Sequence, residues 1–382
     1  MIPVRDRPAG LALTLEAIHA AGLPSPAELI VVDDGSRPDD ATATADVCAT
    51  YGARLIRRTR SGGPAAARNE GWKAATSAVV AFVDSDCEPA PGWLAHLLPH
   101  FADPAVAAAA PRIRARRAAG ASRALGSYER DRSPLDRGRL EGPVRPGSRI
   151  SFVPSAALVV RRAVLSDLGG FDESMRVGED VDLVWRIGAC DLTVRYEPRS
   201  TVTHPTRRNW AAWAVQRATY GSSAAPLAQR HGAAVAPLRV SRWSMGAWAL
   251  AAAGWPGVGV LVGLASWAML VPKLCGLERA RIEALRLAGG GHLRAGLSLA
   301  DAMRRVWWPI LLVAALGSVR ARRIAVCAAI PLLIEWIEVR PRLDPVRWVV
   351  FRMADDLAYG AGVWASCWTA RDAGALLPAP AN

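Results

Sequence analysis

Residues 79–86 read Val-Val-Ala-Phe-Val-Asp-Ser-Asp, an apolar run that ends in two acidic residues. A short, continuous apolar run predicts a buried strand, and extended backbone puts Asp84 and Asp86 on the same side of it. Two carboxylates that close repel each other unless a cation neutralises them. Mg²⁺ or Mn²⁺ fits, because these ions take few protein carboxylates and complete their shell with water and phosphate oxygens. The pattern therefore predicts a metal–phosphate site, and the alternative is a solvated acidic turn before Glu88.

The sequence around this motif alternates short apolar runs with helix-compatible segments. Such alternation predicts an α/β fold with a doubly wound, mostly parallel sheet. These sheets bind ligands beyond the carboxyl ends of their strands, so polar residues that follow strands are the functional candidates. The predicted strands are Ile2–Val4, Leu29–Val32, Arg54–Ile56, Val79–Val83, Val106–Ala110, Ile150–Val153 and Val194–Tyr196. The predicted helices include Pro8–Ala21, Asp39–Tyr51 and Pro64–Thr76.

A second acidic motif follows an earlier apolar run, where residues 31–36 read Val-Val-Asp-Asp-Gly-Ser. A carboxylate at a strand end can accept hydrogen bonds from a ribose hydroxyl or from a base N–H. Asp33 and Asp34 are therefore candidates for nucleoside binding. Asp, Gly and Ser also favour turns and helix caps, so an ordinary capped turn is the alternative.

A glycine pair opens a predicted helix at residues 61–71, Ser-Gly-Gly-Pro-Ala-Ala-Ala-Arg-Asn-Glu-Gly. Small residues let a ligand approach a helix N-terminus, where the backbone N–H groups favour anions. Arg68 lies about one turn into this helix and can reach a diphosphate. The alternative is an ordinary helix with Pro in its first turn.

A third acidic motif, Gly-Glu-Asp-Val-Asp-Leu-Val-Trp-Arg, occupies residues 178–186. Acidic residues in the first turn of a helix are favoured by the helix dipole, which is a purely structural explanation. The functional explanation is a general base that takes the proton of an acceptor hydroxyl. The string alone leaves both open. His204, which follows the last predicted strand, is a ligand candidate only if a metal site lies beside it.

The 382-residue chain changes character near residue 200, and most of its 15 Trp follow that point. Hydrophobic residues at 51% and charged residues at 21% exclude a disordered chain. Ser244–Pro272 contains no charged residue, is longer than the roughly 20 residues that span a bilayer, and is flanked by Arg239, Arg242 and Lys273. It predicts membrane insertion. A buried helix pair is the alternative, because glycines and Pro256 interrupt the stretch.

The formal net charge is +13, and almost all of the positive charge is arginine. No Arg-rich block interleaved with aromatic residues stands out, so we expect no nucleic-acid partner. The six Cys are well separated in sequence and form no metal-binding pair. We expect them to be reduced thiols.

Taken in order, these motifs resemble those of the family-two inverting glycosyltransferases with the nucleotide-sugar-binding GT-A fold. The resemblance covers residues 1–205. The strings GGPAAARNEGW, FVDSDCEPAPGWL and RVGEDVDLVWRI, with YGSSAAPLAQRHGA further on, are similar to those of the mycofactocin-system glycosyltransferases within that family.

The resemblance implies a role for each matching residue. For the nucleotide, it implies contacts from the residues of the first two strand ends and of the glycine-pair helix, namely Pro3, Asp6, Asp33, Asp34 and Arg68. For the diphosphate and a divalent metal, Mn²⁺ or Mg²⁺, it implies Asp84 and Asp86, with Asp86 the direct ligand and His204 completing the site. For catalysis, it implies Asp180 as the base, with Glu179 beside it in the acceptor pocket.

The same resemblance implies an inverting transfer of a sugar, expected to be glucose, from a UDP-sugar to a hydroxyl acceptor. The implied acceptor is premycofactocin, a peptide-derived redox cofactor precursor. A polyprenyl-phosphate or cell-envelope polysaccharide glycosyltransferase is the alternative, because either fits a membrane tail equally well. A nucleotidyltransferase is disfavoured because only one Gly follows the charged turn after strand one. A non-catalytic scaffold is disfavoured because the acidic residues at the strand ends are intact.

These expectations divide the chain into a GT-A catalytic domain, residues 1–206, and a helical C-terminal region, residues 207–382, with one or more membrane-associated segments. UDP-sugars are cytosolic, so we expect the protein at the cell membrane with its catalytic domain facing the cytoplasm. The flanking cations lie at both ends of the apolar stretch and give no orientation by the positive-inside rule.

Overall fold

Three parallel strands at the start of the chain place the first acidic motif. They form a sheet of order β1-β2-β3, with Val4 opposite Asp33. The computed structural model describes residues 1–380. These first elements are β1 (Ile2–Val4), α1 (Pro8–Ala21), β2 (Ile30–Asp33), α2 (Pro38–Thr50) and β3 (Arg54–Arg57). Both helices begin with Pro, whose fixed φ suits the first helical turn.

The second sheet contains the longer strands. Its order is β4-β8-β6-β9-β5, with β7 also paired to β9. The elements are α3 (Pro64–Ala74), β4 (Val79–Val83), β5 (Glu88–Pro89), α4 (Trp93–Leu97), β6 (Val106–Arg116), α5 (Arg123–Arg132), β7 (Gly142–Pro143), β8 (Ala157–Arg161), α6 (Arg162–Leu168), α7 (Glu179–Ala189) and β9 (Thr193–Pro205).

The second sheet corrects the prediction of a mostly parallel arrangement. Only β6 and β9 run parallel in it, whereas β4–β8, β6–β8, β5–β9 and β7–β9 are antiparallel. The prediction failed because a strand buried on both faces is apolar throughout in either orientation, so an apolar run does not reveal the direction of a strand. The predicted strand Ile150–Val153 is also wrong: those residues are irregular, and the strand lies at β8.

Backbone hydrogen bonds connect the two sheets at their shared edge. The Met1 amine donates to the Ala81 carbonyl at 2.9 Å, and the Val83 N–H donates to the Met1 carbonyl at 3.1 Å. Ile2, Leu11 and Val83 belong to one buried apolar cluster. The strand ends that carry Asp33 and Asp84 therefore lie at the same rim, with β1 between them.

The chain divides into one compact unit, Met1–Trp213, and a second that begins at Ala214. The second unit is helical, apart from a short parallel pair of strands. From the boundary onward the elements are α8 (Trp210–Gly221), α9 (Ala224–His231), β10 (Arg239–Val240), α10 (Arg242–Ala252), α11 (Pro256–Leu270), α12 (Ala280–Arg305), α13 (Trp308–Gly317), α14 (Val319–Val339), α15 (Pro345–Ala370) and β11 (Ala379–Pro380).

The uncharged stretch of the sequence is two helices rather than one. Gly254, at φ +98°, ends α10, and Pro256 begins α11. Among the described residues, one helical segment, Pro256–Leu274, is long and apolar enough to cross a membrane. It consists of α11 and the 3-10 turn that follows it, and α13 is apolar but shorter.

Candidate active site

Asp34 organises the loop that leads into α3. Its carboxylate accepts hydrogen bonds from the Ser61 hydroxyl at 2.7 Å and from the backbone N–H groups of Gly62 and Gly63 at 2.9 and 2.8 Å. The Arg58 guanidinium lies 2.9 Å away. Gly63 has φ +90°, a conformation that glycine adopts readily. Asp34 therefore fixes the glycine pair at the start of the helix.

Asp33 is fully buried and only half satisfied. Its Oδ1 accepts the Ser36 N–H at 2.9 Å. Among residues 1–380, its Oδ2 receives no hydrogen bond, and the half-exposed Arg57 Nε stands 3.8 Å away. A buried acceptor without a donor is uncommon in folded proteins and calls for an explanation. A ligand N–H or O–H arriving at this strand end would supply the missing donor.

Asp6 ties together the loops that follow β1 and β2. Its N–H donates to the Ser36 hydroxyl at 2.9 Å, and its Oδ1 accepts the Arg37 N–H at 2.8 Å. The residue has φ +52°, so its backbone is held in the sparsely populated left-handed region. Pro3 lies inside β1, in register with Val32. The structure thus brings both predicted nucleoside residues to the edge that carries Asp33.

Arg68 lies between two acidic motifs. It is 3% exposed, and its Nη1 and Nη2 donate to Glu179 Oε1 at 2.8 Å and to Asp84 Oδ1 at 2.7 Å. Burial alone would lower the pKa of Arg68, but the Asp84 and Glu179 carboxylates outweigh that effect and raise it. The resemblance assigned this residue to the nucleotide, whereas in the structure its hydrogen bonds go to these carboxylates.

The pair Glu179 and Asp180 begins α7, after Gly178 at φ +84°. Asp180 Oδ2 accepts the Ser155 N–H at 3.1 Å, and its Oδ1 accepts the Val181 N–H at 2.8 Å. Burial raises the pKa of Asp180 against the opposing effect of these bonds. Burial and the neighbouring Asp180 raise the pKa of Glu179 to about 7. Both groups are thus able to exchange protons nearer neutrality than ordinary carboxylates.

Asp86 and His204 lie beside each other at one end of the acidic crevice, the site formed by Asp33, Asp84, Asp86, Glu179 and Asp180. His204 Nε2 is 3.6 Å from Asp86 Oδ1, and Arg7 Nη1 donates to Asp86 Oδ2 at 2.8 Å. Among the described residues, no group of three or more His, Cys, Asp or Glu side chains is arranged to hold a metal. A carboxylate and an imidazole nevertheless fit a Mn²⁺ or Mg²⁺ ion that takes few protein ligands and draws the others from phosphate and water.

Asn69 is a site-building residue to which the sequence interpretation gave no role. Its Oδ1 accepts the N–H groups of Phe171 at 2.9 Å and of the Trp72 indole at 3.0 Å. Its Nδ2 donates to the Phe171 carbonyl and to Glu173. Asn69 thereby fixes the turn before α7 against α3. The sequence feature that could have identified Asn69 is its position directly after Arg68.

Comparisons with known proteins identify the family to which this chain belongs. Residues 1–169 match the family described as Glycosyl transferase family 2. A pre-mycofactocin glycosyltransferase of Mycobacterium tuberculosis is 40% identical over 400 residues, which cover 99% of this chain and 81% of that protein. The chain belongs to glycosyl transferase family 2. Glycosyltransferase activity follows from this membership.

One further sequence relative and one solved structure are similar to this family-two glycosyltransferase over different shares of the chain. A succinoglycan biosynthesis protein of Rhizobium meliloti is 33% identical over 167 residues, which are 43% of this chain and 49% of that protein. A mannosyltransferase of Pyrobaculum calidifontis, solved in complex with GDP-Man and Mn²⁺, has a TM-score of 0.54 at 18% identity and covers 96% of this chain and 86% of its own. This structural match supports the GT-A fold.

Replacing Arg68 by Met tests the electrostatics of this glycosyltransferase's site. Breaking a buried ion pair leaves uncompensated charge, so we expect the free energy of unfolding to fall by about 3 kcal/mol or more. Arg68 lowers the pKa of Glu179, so the variant should raise that pKa above about 7. Ionised Glu179 then costs the folded state more, and the loss should be larger at about pH 8.5 than at about pH 6.

Urea unfolding followed by tryptophan fluorescence at both pH values measures this loss. Arg145→Met, at an exposed position, is the control, with an expected change within about 0.5 kcal/mol at either pH. An Arg68→Met loss that is equal at the two pH values would contradict the role given to Glu179.

Proposed function

We propose that this glycosyltransferase transfers a hexose, glucose by expectation, from a UDP-sugar to a hydroxyl of premycofactocin, with inversion. The observation that carries the chemistry is the Arg68 bridge, which joins the strand end of Asp84 to the first turn of α7 that holds Asp180. The mycobacterial relative, which matches along nearly the whole chain, supports the acceptor.

In the proposed reaction Asp180 is the general base. It takes the proton of the acceptor hydroxyl while that oxygen attacks the anomeric carbon, and the bond from this carbon to the UDP oxygen breaks. The carbon is oxocarbenium-like at the transition state, as in glycoside hydrolysis. Attack comes from the face opposite UDP, so an α-linked donor gives a β-linked product. The raised pKa of Asp180 suits this role, because a stronger base accepts the proton more readily.

Recognition of the uridine is proposed for the first sheet. The unpartnered Asp33 Oδ2 would accept a base N–H or a ribose hydroxyl. Pro3 and Asp6 line the same edge, and Asp34 holds the glycine loop beside it. This proposal gives Asp33 direct contact with the nucleoside and gives Asp34 the task of shaping the pocket.

A divalent metal, Mn²⁺ or Mg²⁺, is proposed beside Asp86, with His204 as its second protein ligand and Asp84 nearby on the same strand end. When bound, such an ion neutralises negative charge on a leaving diphosphate. Arg7, already paired with Asp86, adds positive charge to this end of the crevice.

A polyprenyl-phosphate or cell-envelope polysaccharide acceptor is the second candidate. It is favoured by the apolar helices of the C-terminal unit, which would bring the enzyme to lipid-borne acceptors.

We place the protein at the cell membrane with its catalytic unit facing the cytoplasm, where UDP-sugars are made. Pro256–Leu274, which is 6% buried, supports the membrane assignment.

The activity is tested by incubating the full-length protein with UDP-glucose, UDP-galactose, UDP-N-acetylglucosamine or GDP-mannose, and with premycofactocin or a polyprenyl phosphate. UDP release and product mass report transfer, and NMR of the product gives the anomeric configuration. We expect UDP-glucose and premycofactocin to yield a β-linked product. Asp180→Asn should lower turnover by about 10²- to 10⁴-fold, the usual contribution of a general base, with UDP affinity unchanged.

Asp167→Asn, at an exposed position on α6, is the matched control and should retain full activity. If product forms only on the polyprenyl phosphate, premycofactocin is not the acceptor and the lipid phosphate takes its place in the proposal. Residual turnover of Asp180→Asn near that of the control would remove Asp180 from the role of base.

Metal dependence is tested by titrating UDP into the protein in a calorimeter with and without Mn²⁺. We expect Mn²⁺ to tighten binding in the unmodified protein. Asp86→Ala should abolish that gain, because it removes the carboxylate that is proposed to hold the metal. Asp46→Ala, exposed on α2, should behave like the unmodified protein. Equal Mn²⁺ dependence in both variants would rule out Asp86 as the ligand.

Membrane insertion is tested by carbonate extraction of cell membranes that contain the full chain. We expect the protein to stay in the membrane fraction. Leu264→Asp, 48% exposed near the centre of Pro256–Leu274, should move protein to the soluble fraction, because Asp at the centre of a span costs about 2.5 to 3.5 kcal/mol. Leu140→Asp, 66% exposed in the N-terminal unit, is the control. Complete extraction of the unmodified chain would contradict insertion.

A further inference from the structure

A cavity of about 270 Å³ opens beside the acidic crevice, in the N-terminal unit. It lies between the end of β6 and one face of α5, and it is lined by Ala115, Arg117, Arg123, Gly126, Ser127 and Arg130. We call it the basic cleft. None of these six residues is acidic, and three arginines and one serine line a common space. None of the acidic motifs or the glycine-pair helix contributes a residue to its lining.

The three arginines reach the basic cleft because of local geometry. Arg123, Gly126, Ser127 and Arg130 recur at helical spacing, so one face of α5 carries them. A side chain at Gly126 would collide with the stem of Arg117, since an added Cβ would lie 2.7 Å from its Cγ and Cδ. The glycine therefore leaves room for Arg117, which also donates from Nη1 to the Ala121 carbonyl at 3.0 Å.

Arg130 carries a donor that the protein leaves unused. Its Nη2 is shielded from solvent and has no hydrogen-bond acceptor among residues 1–380. Its Nε forms a long ion pair with Asp131 Oδ1, at 3.9 Å, which is beyond hydrogen-bonding distance and leaves Nη2 without an acceptor in the described part of the chain. A buried donor without an acceptor is unfavourable unless a ligand supplies one. This orphan donor and the absence of acidic groups from the lining are independent observations that point to an anion.

The basic cleft lies next to the end of the active site that contains His204 and Asp86. Ala115 is in register with His204 on the adjacent parallel strand, and His204 lies beside Asp86. Neighbouring strands are about 4.8 Å apart, so the cleft borders the end of the crevice assigned to the diphosphate. None of its arginines is bonded to Asp33, Asp84, Asp86 or Asp180 in the structure.

We propose that the basic cleft is a second anion site, which binds a phosphate group other than those of the sugar nucleotide. Arginine matches phosphate because its planar guanidinium donates two parallel hydrogen bonds to a pair of oxygens. Three such cations suit a doubly charged phosphate monoester better than a single carboxylate. The phosphate belongs either to a soluble molecule or to a lipid headgroup, and the chemistry of recognition is the same for both.

The test compares two double variants of the full-length protein with equal loss of charge. Arg123→Gln/Arg130→Gln removes two cations from the basic cleft, whereas Arg145→Gln/Arg162→Gln removes two exposed cations elsewhere on the same unit. Inorganic phosphate binding is followed by broadening of its ³¹P NMR signal. Lipid binding is the difference in sedimentation between phosphatidylcholine vesicles with and without 20% phosphatidic acid, which cancels apolar attachment to the bilayer.

We expect the cleft variant to lose phosphate affinity by about tenfold or more, because charge-assisted hydrogen bonds are lost, and the control variant to retain it. Loss of the phosphatidic acid effect in the cleft variant alone assigns the site to a lipid headgroup. Loss of free phosphate binding without any vesicle effect assigns it to a soluble molecule. Unchanged thermal unfolding of both variants shows that they are folded.

Three outcomes overturn the proposal: neither phosphate source binds the unmodified protein, both double variants lose binding equally, or the cleft variant loses affinity for UDP. In the last case the cleft would belong to the sugar-nucleotide site. The assay measures binding without any sugar transfer, so its result and that of the proposed glycosyltransferase reaction are independent of each other.

Discussion

The site depends on one buried cation that is shared by carboxylates from distant parts of the chain. Arg68 lies inside the protein, where an unpaired guanidinium would be very unfavourable, so Asp84 and Glu179 must stand on either side of it. One carboxylate is at the end of β4 and the other begins α7. The bridge therefore fixes the separation between the strand end and the helix. The acidic crevice has a defined width because of this constraint.

The same turn of α3 also holds the segment that precedes α7 through hydrogen bonds from an uncharged side chain. Asn69, next to Arg68, hydrogen-bonds both to the backbone of Phe171 and to Glu173. Gly170, at φ +74°, approaches the Asn69 side chain so closely that an added Cβ would collide with it. Arg68 and Asn69, on one turn of α3, thus hold the start of α7 and the turn before it. These contacts fix the position of Asp180, and the hydrogen bond from the Ser155 N–H fixes its orientation.

The acidic residues at the strand ends could be identified from the sequence because they are local signals. Asp33 and Asp84 each follow a continuous apolar run, and the structure ends β2 at Asp33 and β4 immediately before Asp84. The α1 bounds Pro8–Ala21 and the β4 bounds Val79–Val83 were also predicted as observed. Their bounds could be predicted because α1 begins at Pro8 and β4 ends immediately before Asp84, and both residues are visible in the sequence.

Features that depend on distant pairing were not predictable in the same way. Strand direction in the second sheet is decided by which strands meet, and an apolar run such as β8 gives the same pattern in either orientation. The use of both Arg68 donors on carboxylates required Glu179, which lies 111 positions away, to be placed in space. Asp33 and Asp34 look equivalent in sequence. They differ because the Ser61 loop folds onto only one of them.

The helices of the C-terminal unit fall into two kinds: some carry buried charges that pair within the unit, and others are apolar and bury almost no residue. Asp356 on α15 accepts hydrogen bonds from Arg304 of α12 and Arg352 of its own helix, at 3.3 Å each. Charges of this kind need protein partners around them, so α12 and α15 are held within the unit. In contrast, α11 buries only Gly259 and α13 buries no residue. Apolar helices with neither charges nor buried faces gain most from leaving water, so α11 and α13 are the helices that favour the membrane insertion proposed above.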